Sequence, residues 1–143
     1  MSNRERHKVA AEAKTWLGTP YHHHGRLKGI GVDCAMLPAE VYHSCGLIPR
    51  IEVDHYPIDW HLHRDEERYL ATVLDHSQET DQLDIGNFIL YKWGRCFAHG
   101  AIIIKWPIII HAWNGTGVLL ADGTKGRLEG REFKAYTLWG DNS

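Results

Sequence analysis

A chain of 143 residues, 43% hydrophobic and 24% charged, is long enough to bury a core, and residues 1–143 read as a single domain. A net charge of −2 excludes the basic balance of a typical nucleic-acid binder. The longest apolar run, Ala101 to Trp113, is broken by Lys105 and Pro107 and is too short to span a membrane.

The segment Met1–Lys8 is charged and leads into no apolar h-region, so it does not read as a secretory signal. Ser2 and Glu5 have capping-box spacing, and Val9, Ala13, Trp16 and Leu17 recur at helical spacing. This predicts a first helix over residues 3–17, stopped by Gly18. Gly18-Thr19-Pro20-Tyr21 turns the chain into an extended segment that continues through His22-His23-His24-Gly25 to Gly29-Ile30-Gly31. A second helix is expected to start at Cys34, with Asp33 as N-cap, Leu37, Val41 and Tyr42 as its apolar stripe and Gly46 as its stop. Pro38 lacks the N–H that would bond the Cys34 carbonyl, so a tightened or kinked first turn is expected. Residues 47–63 read as an ordered connection. A third helix is expected from Asp65 to about Asp75, with Tyr69, Leu70, Val73 and Leu74 buried.

The character then changes to strands. Asn87–Trp93 reads as one, Gly94–Phe97 as a turn, His99–Trp106 as a second strand and Ile108–Trp113 as a third, with Pro107 between them. Asn114-Gly115-Thr116-Gly117 is a hairpin signal, and Val118–Ala121 and Glu132–Trp139 complete the sheet. Helices first and strands second predict an α+β domain, its N-terminal helices packed on an antiparallel sheet of five to six strands.

Cys34, Cys45 and Cys96 are an odd set that builds no complete disulfide framework, which points to synthesis in a reducing cytosol. A free cysteine is most often a small buried hydrophobe. Cys34 differs because a helix start favours the thiolate and offers backbone N–H groups to a developing oxyanion. Asp33 opposes this by like charge unless its carboxylate is committed to capping. Cys45 sits at the opposite end of the same helix, where the dipole has the wrong sign, and Cys96 falls in a turn without a helix start. His99 and His111 flank Pro107 and can lie together on adjacent antiparallel strands, on a face that points at the cysteine-bearing helix. The residues alone leave two readings open: satisfied core histidines, or a base and its orienting group acting on a thiol. His22-His23-His24 and Cys96-Phe97-Ala98-His99 invite a metal. Adjacent residues of an extended segment point to opposite faces, however, and the paired ligands of a structural zinc site are missing. No metal or cofactor is expected, and the histidine run reads as solvated or substrate-facing.

Four blocks, Gly18-Thr19-Pro20-Tyr21, Val32-Asp33-Cys34-Ala35, Ala98-His99-Gly100-Ala101-Ile102 and Ile110-His111-Ala112, resemble the NlpC-type cell-wall peptidases. These are papain-like cysteine peptidases of bacteria and their phages. The resemblance covers roughly residues 8–115 and is nearest to short, single-domain forms carried by phage tails, which share the Pro-Tyr…Lys-Gly…Asp-Cys approach. It implies a papain-like fold with Cys34 as nucleophile, His99 as general base and His111 as the residue orienting His99. Tyr21 and Asp33 are implied at the substrate, and Cys34 and His99 as an ion pair. The implied reaction is hydrolysis of peptidoglycan stem peptides between D-glutamate and a diamino acid. Implied partners are those stems and other tail proteins, without nucleic acid or membrane insertion. A particle assembled in the host cytoplasm would carry the enzyme to the wall. Met36, Pro38, His22-His23-His24 and Leu83-Asp84 depart from the family pattern and bear on the shape of the groove. A silent structural component of a tail tip and a papain-like acyltransferase are the alternatives.

Overall fold

Helix α1 (Ser2–Lys14) buries Val9 and Ala13 on its inner face. It ends before Trp16 and Leu17, short of the sequence expectation. The Thr15 hydroxyl donates back to the Glu12 carbonyl at 2.6 Å, and Gly18, at φ 86°, diverts the chain so that its N–H reaches the Val118 carbonyl at 3.0 Å. Trp16 is buried in this turn, whereas Leu17 is left exposed. The computed structural model describes residues 2–50 and 70–139. The Ser2 side chain of the expected capping box, most of the 47–63 connection, and the start of the third helix with Asp65 and Tyr69 lie outside the described residues.

Two short strands, β1 (Arg26–Leu27) and β2 (Gly31–Val32), pair antiparallel ahead of helix α2 (Met36–Ser44). Gly46, at φ 76°, closes α2: its N–H donates to the His43 carbonyl and that of Leu47 to the Tyr42 carbonyl. Residues 70–75 form helix α3, with Leu70 and Val73 buried and Leu74 packed against the core. Six strands follow: β3 (Gln78–Thr80), β4 (Phe88–Trp93), β5 (Cys96–Lys105), β6 (Ile108–Trp113), β7 (Gly117–Asp122) and β8 (Phe133–Thr137). A 3-10 turn (Gly126–Leu128) lies between β7 and β8. The strands form one sheet in the order β3-β8-β4-β5-β6-β7, antiparallel at every neighbour. This is the α+β architecture with helices ahead of an antiparallel sheet that the pattern predicts.

Alternation along the strands divides the apolar side chains between two faces. Phe88, Leu90, Ile102, Ile110 and Ala112 pack with α1 and α2, whereas Ile89, Tyr91, Ala101, Ile103 and Ile109 pack with Leu128 on the other face. Each isoleucine, leucine or phenylalanine among them contributes about 1.5–3 kcal/mol when removed from water, enough to hold strand register against a one-residue slip. Arg6 ties α1 to the sheet. Its guanidinium donates to Asn87 Oδ1 at 2.7 Å, the Ile85 carbonyl at 3.0 Å and Thr137 Oγ1 at 3.1 Å, and lies 4.4 Å from the Trp139 ring centroid.

Candidate active site

The turn that carries Cys34 is built by Asp33. The Asp33 Oδ1 accepts the N–H groups of Ala35 at 3.1 Å and Met36 at 2.8 Å, and its backbone carbonyl accepts that of Leu37 at 3.1 Å. Asp33 is thus the cap expected, although regular helix begins only at Met36 and Cys34 and Ala35 occupy a turn. Pro38 contributes to this, because it has no N–H to close a bond on the Cys34 carbonyl. The cap also takes most of the donors expected to face an oxyanion: Ala35, Met36 and Leu37 are committed, and the Cys34 N–H is not among those the cap uses.

Asp33 corrects a second expectation. It is fully buried, and Oδ2 accepts the His24 N–H at 2.8 Å, so both carboxylate oxygens are spent on backbone groups. It clamps the loop to the helix start and does not line the cavity beside Cys34. The histidine run is likewise different from the extended segment predicted. Residues 23 and 24 form a turn, His24 sits at φ 63°, and the rings of His23 and His24 stack with centroids 3.8 Å apart. Among the described residues no group of three or more His, Cys, Asp or Glu is arranged to hold a metal ion.

Tyr21 reaches Cys34 through backbone pairing. The Val32 N–H donates to the Pro20 carbonyl at 3.0 Å and the His22 N–H to the Val32 carbonyl at 3.1 Å, which sets Tyr21 alongside the strand leading into the cysteine. Its hydroxyl lies 4.0 Å from Cys34 Sγ.

His99 is the fourth residue of β5, not its first, because the turn after β4 shrinks to Gly94-Arg95. Tyr91 pairs with His99 but Lys92 pairs with Phe97, leaving Ala98 as an extra residue in β5. Such a bulge raises local twist and re-aims the neighbouring side chain. Cys34 brackets this point: Sγ lies 4.0 Å from the Ala98 carbonyl oxygen, and a Cβ on Gly100 would come within 3.3 Å of the Cys34 carbonyl oxygen. The cysteine turn is therefore seated on β5 at the residues either side of His99. By strand alternation His99 and His111 belong to the Tyr91 and Leu128 face, not the helix-covered face predicted. Cys34 and His99 share one cavity of about 700 Å3, lined also by Tyr21 and Ala98.

The two histidines bond directly, His99 Nε2 to His111 Nδ1 at 2.8 Å. Around His99 stand Trp113 at 5.3 Å, Trp93 at 5.5 Å and Tyr91 at 6.3 Å between ring centroids. Burial in this aromatic surround, then His111 and Arg131, lowers the His99 pKa to about 3, and burial alone lowers that of His111 to about 4. Both rings are consequently neutral near pH 7, and the His99 imidazolium expected in a resting ion pair is disfavoured. For a neutral His99 to accept a proton at Nδ1, Nε2 must carry the hydrogen and donate it to His111 Nδ1. The arrangement places a thiol and a neutral imidazole on one cavity, with a second buried imidazole bonded to the first.

The sequence reading missed Trp93, Arg95, Trp113 and Arg127, which also line the cavity, and Arg131, whose guanidinium carbon lies 3.4 Å from the Trp93 ring centroid. Trp93 and Trp113 each end a strand that the sequence predicts, the one signal that could have placed them at the same edge.

No family model matches the chain, and no curated protein matches it. Solved structures do. The NlpC/p60 domain of peptidoglycan hydrolase SagA matches with a TM-score of 0.60 and 18% identity over 90% of this chain and 96% of that one. A protein similar to a lipoprotein, of the NLP/P60 family, from Staphylococcus aureus subsp. aureus Mu50 matches with a TM-score of 0.67 and 18% identity, over 99% of this chain and 43% of that one. An NlpC/P60 family protein from Bacillus cereus ATCC 10987 matches with a TM-score of 0.60 and 20% identity, over 90% of this chain and 39% of that one. This chain therefore spans less than half the length of the latter two. At such identities the likeness is one of fold: the chain has the papain-like NlpC/p60 fold.

Proposed function

With the NlpC/p60 fold as premise, we propose that this protein is a cysteine peptidase that hydrolyses the peptide stems of bacterial peptidoglycan. The bond cut is the one joining D-glutamate to a diamino acid. The observation that carries this reading is the 2.8 Å bond from His99 Nε2 to His111 Nδ1, made by a histidine that shares a cavity with Cys34.

His99 Nδ1 takes the thiol proton as Cys34 Sγ attacks the peptide carbonyl carbon. The imidazolium so formed is stabilised by the negative charge of the tetrahedral species and by donation from Nε2–H to His111. The carbonyl oxygen gains charge near the Cys34 N–H at the helix start. Collapse of the tetrahedral species breaks the C–N bond, and His99 returns its proton to the leaving amine. Water, deprotonated by the same nitrogen, then attacks the thioester and frees Cys34. His111 touches no reacting atom; it is a positioning residue. The test is digestion of purified peptidoglycan and of a γ-D-glutamyl-diaminopimelate peptide by wild type and Cys34→Ala, read by mass spectrometry. Wild type should release the diamino-acid amine and Cys34→Ala should not; equal release by both refutes the role of Cys34.

We propose further that the enzyme is carried on a phage tail and acts at the bacterial wall. The Pro20-Tyr21, Lys28-Gly29 and Asp33-Cys34 approach, which resembles that of the tail-borne forms, supports this. Peptides of this chain should be found in tails purified from its phage; their absence refutes the assignment.

A further inference from the structure

A second cavity, of about 230 Å3, lies beside the first and is lined by His111, Leu119, Ala121 and Asp122 among others. Trp113 and Arg127 line both. The peptidase reading uses neither of them.

Arg127 is held by its backbone and left open at its head. The neighbouring Leu128 is buried against Ile89 and Tyr91. The Arg131 Nε donates to the Arg127 carbonyl at 2.7 Å and its Nη1 to the Lys92 carbonyl at 3.2 Å, while its guanidinium stacks on Trp93. One direct bond from Arg131, itself anchored on Lys92 and Trp93, and the burial of the adjacent Leu128 thus hold residue 127 at the wall of the cleft. The exposed Arg127 guanidinium carbon lies 5.9 Å from the Trp113 ring centroid. Among the described residues no carboxylate pairs with it. Asp122, the acidic residue in the second cavity, accepts the Thr124 N–H at 2.9 Å and hydroxyl at 2.6 Å, with Lys125 as its charged neighbour. An arginine without an ionic partner, set where two cavities join, suits a carboxylate arriving with a ligand, because its planar fork can bind both oxygens at once.

We infer that Arg127 is a specificity-determining residue that binds a carboxylate of the substrate, an acidic peptide lying across Trp113 from the first cavity into the second. The inference rests on the peptidase reading and names the substrate feature that site selects. Stem peptides with free carboxylates bind; those carrying carboxamides at the same positions bind weakly, since a neutral amide offers one acceptor and no charge.

The experiment titrates two stem peptides, one with free carboxylates and one with the same groups as carboxamides, into Cys34→Ala protein followed by calorimetry. The acid should bind about tenfold more tightly than the amide, as expected when a charge-assisted hydrogen bond is lost. Adding Arg127→Gln should weaken the acid alone and erase the difference. Adding Arg95→Gln, at a residue that lines only the first cavity, should preserve it. Equal affinity for the two peptides, no binding of either, a preference that survives Arg127→Gln, or one lost with Arg95→Gln overturns the inference. Wild-type digestion of the same peptides separates this from the premise: discrimination in binding without cleavage supports the carboxylate site and refutes the peptidase.

Discussion

The buried histidine pair should make this protein acid-sensitive. His99 and His111 titrate at about 3 and about 4 in the folded protein against 6.5 for a free imidazole, chiefly because burial disfavours the charged ring. The unfolded chain therefore binds protons at these residues over a range in which the native protein does not. Stability from this source is complete above about pH 6.5 and is lost as pH falls toward the folded values. At pH 5, 1.5 units below the free value, each histidine has lost about 2 kcal/mol, so the pair costs about 4 kcal/mol between pH 7 and pH 5. That is a large share of the roughly 5–15 kcal/mol that holds a domain together. Urea unfolding at pH 7, 6 and 5 at constant ionic strength measures it. In His111→Asn one titrating ring is gone while an acceptor for His99 Nε2 remains, and the loss should fall to about 2 kcal/mol. A wild-type change below about 1 kcal/mol, or an equal loss in His111→Asn, refutes a neutral, buried pair.

Gly100→Ala places a Cβ 2.8 Å from a Phe88 ring carbon and 3.3 Å from the Cys34 carbonyl oxygen, so stability should fall by about 1–3 kcal/mol; an unchanged melting temperature contradicts the close seating of Cys34 on β5. Asp33→Ala removes three backbone acceptor contacts and should cost at least about 1–2 kcal/mol in denaturant unfolding, with Asp33→Asn recovering part of it through its remaining carbonyl oxygen. His111→Ala should lower kcat on a stem peptide by about 100-fold with little change in KM, and His111→Asn should restore part of the rate; equal rates for the two variants contradict a tautomer-fixing role.

The local part of this molecule is written in adjacent residues. Asp33 followed by Cys34 and an apolar helical stripe specifies a cap and a turn, and the isoleucine runs Ile102–Ile104 and Ile108–Ile110 specify buried strands, because capping and β-branched side-chain preference act over a few positions. Strands β1, β2 and β3 were not legible. Two or three residues such as Arg26-Leu27 or Gln78-Glu79-Thr80 carry no period; the first pair is a strand because the chain turns back within three residues onto Gly31-Val32, and the second stretch because the distant strand β8 pairs with it. Sequence also singled out Cys34, His99 and His111, which the fold brings to one cavity and one bonded histidine pair, since a thiol and imidazoles can be recognised as residue types in order. It did not decide their state. Whether His99 is charged depends on Trp93, Trp113 and Tyr91 from other strands; whether Asp33 meets substrate depends on a His24 N–H across a loop; whether Arg127 faces a ligand depends on Arg131 holding its backbone to Trp93 and Lys92. Desolvation and pairing are properties of surroundings, and in this protein the surroundings of the site are assembled from strands and turns far apart in the chain.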